Sequence, residues 1–278
     1  MMDYKLIATD LDETLLNDEH QVCAENMKWI NKAVRERGVR IVAATGRGYN
    51  QILPELTQIG LNDQPDEYTI SYNGAAITEN KGFKMISWQG LDFDKMAEIF
   101  AFGVKHDVCI HIYANEELFV YHVNDDEYKR LTAQKLACTY FEEPSVDFLK
   151  GKRIAKILFE NTNTDYLKSL APLMKDMTEG CVEVSYSSNR YMEFNTLGVN
   201  KGTALAILAN KLSIPIEQTI AIGDNYNDVA MLKAAGLAVA AGNGVDDVKA
   251  LCDYTTQADN NEGVVAEAIR KFIYHEDI

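Results

Sequence analysis

Two carboxylates separated by one residue, Asp10 and Asp12, directly follow a short apolar run at positions 6–8. Such a run is typical of a buried strand, and Asp10 then lies at the strand's carboxyl end, where open α/β sheets bind their ligands. Side chains two residues apart point to the same face of an extended chain. Two carboxylates held that close repel each other unless a cation joins them or one keeps a proton. The pair therefore indicates a divalent-metal site or a nucleophile beside an acid–base group, with a simple turn as the structural alternative.

A hydroxyl and a glycine, Thr45-Gly46, follow a second apolar run at 39–44. The hydroxyl and the backbone N–H groups near Gly46, just before a predicted helix, are suited to holding a phosphate group. Lys201 stands at the start of another predicted helix, where the positive end of the helix dipole disfavours a lysine. An anion between the ammonium group and the helix end would make that position favourable. Taken singly, the first feature is also consistent with a turn and the second with a solvated helix residue.

Polar residues crowd behind a third apolar run, at 223–228. Asp224 is placed to be a further metal ligand, and Asn227 and Asp228 are placed to orient that residue or a substrate. Asp228 is also consistent with a helix N-cap. The joint occurrence of these groups, each at a strand end or a helix start, is far less expected by chance than any one of them. Together they form the inventory for phosphoryl transfer through an aspartyl intermediate.

The elements that must position these groups alternate between helices and apolar strands. Helices are predicted at 26–37, 49–59, 202–211, 228–235 and 263–272, and buried strands at 39–44, 68–71, 219–222 and 237–240. This alternation predicts an α/β fold of parallel βαβ units with right-handed crossovers.

The pattern changes between about 82 and 189, where the strands are less continuously apolar. Helices are predicted there at 93–105, 125–136 and 164–177, and strands at 108–113, 118–122, 154–159 and 182–186. Alternating polar and apolar positions indicate an antiparallel sheet with one wet face. We therefore expect a core domain formed by 1–81 and 191–278, an inserted α+β domain at 82–190, and short hinges near 79–82 and 187–190.

Charge and composition narrow the class of protein. The 278 residues carry a formal net charge of −15, which argues against a general nucleic-acid surface because backbone phosphates require a basic stripe. The five cysteines are scattered without a CxxC pair, so we interpret them as reduced thiols. No apolar run approaches the roughly 20 residues that span a bilayer, and the N-terminus has no signal-peptide pattern. We expect a cytoplasmic protein without nucleic-acid or membrane partners.

The motifs together resemble those of the haloacid dehalogenase-like (HAD) hydrolases, and among these the Cof-type phosphatases with a type IIB cap. The segments that carry the resemblance are Asp10-Leu11-Asp12-Glu13-Thr14-Leu15, Thr45-Gly46-Arg47, Asn73-Gly74-Ala75, Lys201-Gly202, 223–228 and Glu262-Gly263-Val264. They cover both core segments, whereas the insertion matches in size and position. Glu13 stands where the first motif commonly has glycine, and other members also vary there. The resemblance implies a Rossmann-like parallel-sheet core with a large cap inserted after the third strand.

The resemblance also implies roles for the motif residues. Asp10 would be the nucleophile that forms an aspartyl-phosphate, and Asp12 would protonate the leaving oxygen and then deprotonate the attacking water. Mg²⁺ would be held by Asp10, the backbone carbonyl of Asp12, and Asp224.

The remaining motif residues are implied to serve the phosphate or its surroundings. The residues expected to bind phosphate or substrate are Thr45, Gly46, Arg47, Lys201 and Asn227. Asp228 would steady Lys201 or a metal-bound water. For Arg47, contact with the substrate and contact with the sheet edge both stay open.

We expect a Mg²⁺-dependent phosphatase that acts on a small phosphorylated metabolite. Sugar phosphates are the first candidate substrates, as the resemblance implies. Asp12 favours a phosphatase or a phosphomutase, since dehalogenases lack this second aspartate. A phosphomutase would use the same residues and is the first alternative. A non-catalytic phospho-ligand sensor would need neither Asp10 nor Asp12, and a response-regulator receiver would not explain the insertion. The expected partner is a small-molecule phosphate ester, and the chain is expected to be a monomer or a homodimer.

Overall fold

The computed structural model describes residues 2–134 and 136–277. The first part of the chain forms one half of a mixed sheet. Its strands and helices are β1 (Leu6–Thr9), α1 (Ala24–Arg37), β2 (Arg40–Ala44), α2 (Leu53–Gln58), β3 (Tyr68–Ser71), β4 (Ala76–Glu79) and β5 (Lys84–Trp88). The first three strands are parallel, and β4 and β5 extend the sheet as antiparallel neighbours of β3.

The middle of the chain forms a second sheet with its own helices. Its elements are α3 (Phe93–Gly103), β6 (Cys109–Ala114), β7 (Glu117–Tyr121), α4 (Asp125–Ala133), β8 (Cys138–Phe141), β9 (Ile154–Glu160), α5 (Thr164–Leu170), α6 (Lys175–Thr178), β10 (Val182–Ser187) and β11 (Tyr191–Thr196). Within the described residues the strand order is β10-β11-β9-β6-β7-β8, and all neighbours are antiparallel except β7 and β8.

The last part of the chain returns to the first sheet. It contributes α7 (Lys201–Lys211), β12 (Thr219–Gly223), α8 (Val229–Ala234), β13 (Leu237–Ala240), α9 (Asp246–Lys249), β14 (Tyr254–Thr255) and α10 (Val264–Phe272). The strand order of this sheet, as far as the structure describes it, is β14-β13-β12-β1-β2-β3-β4-β5. The predicted α/β core with parallel strands is confirmed.

Helices cover both faces of the first sheet, as its near-continuous apolar strands require. On one face α1 and α10 pack on side chains such as Ile7 and Ile220. On the other face α7 and α8 pack on alternate residues such as Leu6 and Ala221. The strands are thereby buried on both faces, and the loops follow their carboxyl ends.

The chain divides into two compact units, residues 1–88 with 200–278 and residues 89–199. The division lies at 88/89 and 199/200 rather than at the expected 81/82 and 190/191. At the first boundary, β4 and β5 still pair within the core sheet, so the expected hinge at 79–82 lies in their connection. At the second boundary, β11 pairs with β9 and β10 of the second unit. The expected hinge at 187–190 is therefore the turn between β10 and β11.

Two predicted helices are interrupted at prolines. The helix predicted at 49–59 begins as a 3₁₀ turn at Tyr49–Gln51, and α2 starts only at Leu53, with Pro54 in its first turn. The helix predicted at 164–177 is split into α5 and α6 by a 3₁₀ turn that contains Pro172. The helix predicted at 125–136 ends at Ala133, and its position 135 lies outside the described residues. None of the helices in the described ranges has the length and apolarity needed to cross a membrane.

Candidate active site

The carboxyl ends of β1, β2 and β12 lie side by side at one edge of the first sheet. Thr9 is in register with Ala43 of β2 and with Ile222 of β12, and Asp10 donates its backbone N–H to the carbonyl of Ile222 at 2.9 Å. The chain continues from β1 toward β2 on one side and returns at β12 on the other. In open α/β sheets, ligands bind where the strand order reverses in this way, which here is the carboxyl end of β1. Asp10 therefore stands at the switch point of the sheet.

Lys201 opens α7 and is fully buried against two carboxylates. Its Nζ donates to Oδ1 of Asp10 and, at 2.7 Å, to Oδ1 of Asp228. Asn200 caps the helix by accepting from the N–H groups of Gly202 and Thr203 at 3.0 and 2.9 Å. Burial lowers the pKa of the Lys201 ammonium, but the two carboxylates raise it more, so the pKa lies above its ordinary value. Two carboxylates thus stabilise the ammonium group of Lys201, and the expected anion between this group and the helix end stays a prediction.

Asp228 is fixed by the turn that precedes it. Its Oδ2 accepts from the backbone N–H groups of Asp224 and Asn225 at 3.1 and 3.2 Å. Gly223 makes this turn possible, because a Cβ there would overlap the carboxyl group of Asp228. The carboxylate of Asp228 is therefore shared between the loop backbone and Lys201.

Three buried carboxylates meet at the end of β1. Oxygen atoms of Asp10, Asp224 and Asp228 all lie within 4.8 Å of one another. Burial, with the nearby charge of Asp228, raises the pKa of Asp10 well above its usual range. The same two causes raise the pKa of Asp224 to about 7, although a hydrogen bond from Thr14 opposes the shift. Lys201 supplies one positive charge to three carboxylates, so the cluster has excess negative charge when all three are ionised.

The donor set of this cluster fits Mg²⁺. Carboxylate oxygens are the hard ligands that Mg²⁺ binds, and a divalent cation would relieve the repulsion between Asp10 and Asp224. Asp228 is already engaged by Lys201 and two N–H groups, which suits it to support rather than to ligation. The side chain of Asp12 lies outside the cluster, so its expected contribution through the backbone carbonyl stays a prediction.

The Thr45-Gly46-Arg47 loop follows β2 next to Asp10. Thr45 is buried, its hydroxyl oxygen accepts from the N–H of Arg47 at 3.0 Å, and its carbonyl accepts from the N–H of Asn73 at 3.0 Å. A Cβ on Gly46 would lie 3.2 Å from Oδ1 of Asn73, so the loop packs tightly on the turn after β3. The expected helix does not follow at once, because α2 begins only at Leu53. The N–H groups of Thr45 and Arg47 are already donated, to the carbonyl of Ile70 and to the hydroxyl of Thr45, so anion binding by this loop stays a prediction.

Asp12 is bound by Arg47. Nε of Arg47 donates to Oδ2 of Asp12 at 3.0 Å, Nη2 donates to Oδ1, and Nη1 donates to Oε1 of Glu55 at 2.9 Å. The guanidinium group therefore joins the second carboxylate of the first motif to a carboxylate on α2. The protein partners of Arg47 are thus two carboxylates, and its expected contact with the substrate stays a prediction.

Asn227 and Glu193 are not members of the buried carboxylate cluster. Asn227 is half-buried in the 3₁₀ turn that ends at Asp228. Glu193 lies on β11 of the second unit, where Lys156 donates to it at 2.5 Å. Thr14 and Glu55 were missed as functional residues. Thr14 stands inside the first motif, whereas nothing local in the sequence sets Glu55 apart from a surface residue of a short helix.

The chain matches one family of known proteins and several of its members. The family described as haloacid dehalogenase-like hydrolase matches residues 7–269. The chain is 32% identical over 272 residues to the 5-amino-6-(5-phospho-D-ribitylamino)uracil phosphatase YcsE of Bacillus subtilis (strain 168), covering 98% of this chain and 97% of that protein. It is 28% identical over 248 residues to the HMP-PP phosphatase of Serratia proteamaculans (strain 568), covering 89% of this chain and 87% of that protein.

Solved structures show the same architecture. A haloacid dehalogenase-like hydrolase from Bacteroides thetaiotaomicron matches with a TM-score of 0.83 at 30% identity, over 96% of this chain and 99% of that one. Another from B. subtilis matches with a TM-score of 0.85 at 26% identity, over 96% of this chain and 99% of that one.

Proposed function

The chain belongs to the haloacid dehalogenase-like hydrolases, and from this membership we infer that it is a phosphoric monoester hydrolase acting on small phosphorylated compounds. We propose further that it depends on Mg²⁺, uses an aspartyl-phosphate intermediate and prefers sugar phosphates. The observation that carries the mechanism is the buried cluster of Asp10, Asp224 and Asp228 around Lys201 at the end of β1.

Asp10 is the proposed nucleophile. One carboxylate oxygen attacks phosphorus, the bond from phosphorus to the ester oxygen breaks, and an aspartyl-phosphate forms. Lys201 holds Oδ1 of Asp10 through a hydrogen bond, which fixes the direction of the other oxygen. Among the described residues, Asp10 and Asp228 take two of the three N–H donors of Lys201 and leave one for a phosphoryl oxygen.

Asp12 is the proposed acid and base. It gives a proton to the departing oxygen in the first half-reaction, which releases the alcohol and leaves a carboxylate. In the second half-reaction that carboxylate takes a proton from water, whose oxygen attacks phosphorus and restores Asp10 with release of phosphate. Asp12 is suited to this role because its side chain is 44% exposed and lies outside the buried carboxylate cluster.

The proposed Mg²⁺ ligands are the side chains of Asp10 and Asp224 and the carbonyl of Asp12. When bound, the ion neutralises charge that develops on the phosphoryl oxygens. Thr45, Gly46 and Asn227 are proposed to bind the same group from the neighbouring loops. An acidic chain can thereby bind an anionic substrate through local charges.

The substrate class is proposed from the relatives. YcsE is named for a substrate with phosphate on a ribityl chain, which is a polyhydroxylated alcohol. This relative supports sugar phosphates as the first compounds to test. We propose that the second unit, residues 89–199, carries the residues that choose among them.

Phosphate release from a panel of small phosphate esters tests the proposal. The panel contains hexose, pentose and sugar-alcohol phosphates, each assayed with Mg²⁺ and with a chelator in its place. We expect release only with Mg²⁺, fastest on polyhydroxylated esters, and a loss of at least about a hundredfold in kcat for Asp12→Asn. Activity that is unchanged by the chelator, or unchanged in Asp12→Asn, would contradict the mechanism.

A further inference from the structure

Glu55 is a buried carboxylate whose presence local packing does not explain. Its side chain is 8% exposed, it lies on α2, and its Oε1 accepts from Nη1 of Arg47 at 2.9 Å. Its other oxygen, Oε2, is buried and has no hydrogen-bond partner among the described residues. Burying a carboxylate with one oxygen unsatisfied is costly, and an apolar residue would fill the site without that cost. The carboxylate accepts a hydrogen bond from Arg47, which an apolar side chain could not do.

The shape of the guanidinium group transmits this contact to Asp12. The group is planar and its donors are rigidly arranged, so binding Nη1 fixes the direction of the edge formed by Nε and Nη2. That edge holds both oxygens of Asp12. The backbone of Arg47 is fixed as well, since its N–H donates to Thr45 and its carbonyl accepts from Tyr72.

Exposure increases along this chain of contacts. The side chains of Glu55, Arg47 and Asp12 are 8%, 27% and 44% exposed. Asp12 also lies in an irregular turn in which the next residue, Glu13, has φ +59°, so regular secondary structure does not orient its side chain. A half-exposed carboxyl group on such a turn needs an outside partner to hold one direction, and Glu55 connects that partner to the protein interior.

We propose that Glu55 is a positioning residue that sets the guanidinium group of Arg47 and, through it, the carboxyl group of Asp12. The inference rests on the proposed function, in which Asp12 protonates the leaving group. Glu55 does not touch the reacting atoms. Its effect should therefore be confined to the step that needs a well-placed acid.

The leaving group separates this role from a structural one. A departing alkoxide needs a proton, whereas 4-nitrophenolate leaves readily without one. The ratio kcat/KM reports the steps up to the first phosphoryl transfer. Misplacing Asp12 should therefore lower kcat/KM for an alkyl phosphate far more than for 4-nitrophenyl phosphate. A loss of folded protein or of metal would lower both values equally.

The experiment compares Glu55→Gln and Glu55→Ala with the wild type on a sugar phosphate and on 4-nitrophenyl phosphate. We expect kcat/KM to fall about tenfold or more on the sugar phosphate and less than about threefold on 4-nitrophenyl phosphate. Glu67→Gln is the matched control, because Glu67 is also a largely buried carboxylate paired with an arginine, Arg40, at 3.8 Å. The control should leave the ratio between the two substrates unchanged.

Equal losses on the two substrates in both Glu55 variants would overturn the inference, and so would a shifted ratio in Glu67→Gln. If Glu55→Ala fails to fold, Glu55→Gln decides the question, since it keeps the shape of the side chain. A wild-type chain that releases phosphate from neither ester would overturn the proposed function and the inference with it.

Discussion

Thr14 holds the carboxylate of Asp224, a proposed metal ligand, through a single hydroxyl. Its Oγ1 donates to Oδ1 of Asp224 at 2.6 Å, and both residues are buried. The hydrogen bond favours the ionised form of Asp224, which burial and Asp228 disfavour. It also fixes the direction of the carboxylate and does not occupy the second oxygen, which is the one proposed to bind the cation. Partners of this kind orient metal ligands and tune their affinity.

We expect Thr14→Val to weaken Mg²⁺ binding, because valine keeps the shape and removes the donor. The Mg²⁺ concentration that gives half-maximal phosphate release should rise about tenfold or more. Thr69→Val is the control, since Thr69 is likewise buried and donates to a side chain, Asn80, at 2.8 Å. A Mg²⁺ requirement that is the same in Thr14→Val and in the control would contradict this role.

Residue patterns located the strand ends but not the partners of their side chains. The sequence placed Asp10, Lys201 and Asp224 at the ends of elements, and parallel strands bring such ends to one edge. The contact of Arg47 with Asp12 joins positions 35 residues apart, so it depends on how the loops pack. Glu55 could not be singled out, because a charged residue on a short helix is most often solvated. These contacts exist only once the tertiary structure has formed.

At the scale of elements, the close packing of two helices brings Lys201 to Asp228. A Cβ on Gly202, in the first turn of α7, would overlap the backbone carbonyl of Ala230 in α8. The glycine thus lets the two helix starts approach to the distance at which Nζ of Lys201 reaches Asp228 at 2.7 Å. Gly74 has a similar function, since a Cβ there would overlap the carbonyl of Asn200.

Gly202→Ala should push α7 away from α8 and separate Lys201 from its carboxylates. Overpacking of this kind costs about 1–3 kcal/mol of stability, and a shift of about 1 Å at a reacting group lowers kcat by up to about a hundredfold. Gly236→Ala is the control, because its Cβ would overlap the backbone carbonyl of Glu217 instead. Thermal unfolding should show both variants destabilised, and kcat measured well below both midpoints should fall only in Gly202→Ala. Equal kcat values in the two variants would contradict the role of this packing.

The sheet of the second unit buries a histidine among charged groups. Nε2 of His111, on β6, lies 3.5 Å from Oε1 of Glu127, and both side chains are buried. Burial is the main cause that lowers the pKa of His111 from 6.5 to about 3, and Lys156, Arg190 and Arg130 lower it further. Between these two pKa values the unfolded chain binds a proton that the folded protein does not. His111 therefore makes the free energy of unfolding fall as pH decreases through this range.

His111→Gln should remove this part of the acid sensitivity. Between pH 7 and pH 5 the wild type should lose about 2 kcal/mol more unfolding free energy than the variant, as the difference between pH 5 and the unfolded pKa implies. Denaturant unfolding at the two pH values measures it, and all other titrating groups are common to both proteins. A variant that loses as much stability as the wild type would show that His111 is protonated in the folded state.

At the scale of the whole molecule, the parallel core was predictable and the unit boundaries were not. Continuous apolar runs followed by helices define βαβ units from sequence alone. The strands β4 and β5 were missed because they extend the sheet at its antiparallel edge, where local sequence carries a weaker signal. For β11, the sequence could not show that its partners are β9 and β10 rather than strands of the core.

The charge of the whole molecule and that of the site have opposite consequences for the substrate. The net charge of −15 repels a phosphate ester at long range. At short range the proposed site offers Lys201 and a divalent cation held by Asp10 and Asp224. In the proposed mechanism, catalysis depends on the charges around the carboxylate of Asp10, so replacing this carboxylate is the most direct test.

The decisive measurement is phosphate release by the wild type and by Asp10→Asn, on the best ester of the panel and with saturating Mg²⁺. Asparagine keeps the shape of the side chain but cannot form the aspartyl-phosphate. We expect kcat to fall at least about ten-thousandfold in Asp10→Asn, while thermal unfolding shows that the variant is folded. Turnover by Asp10→Asn within about tenfold of the wild type would show that Asp10 is not the nucleophile.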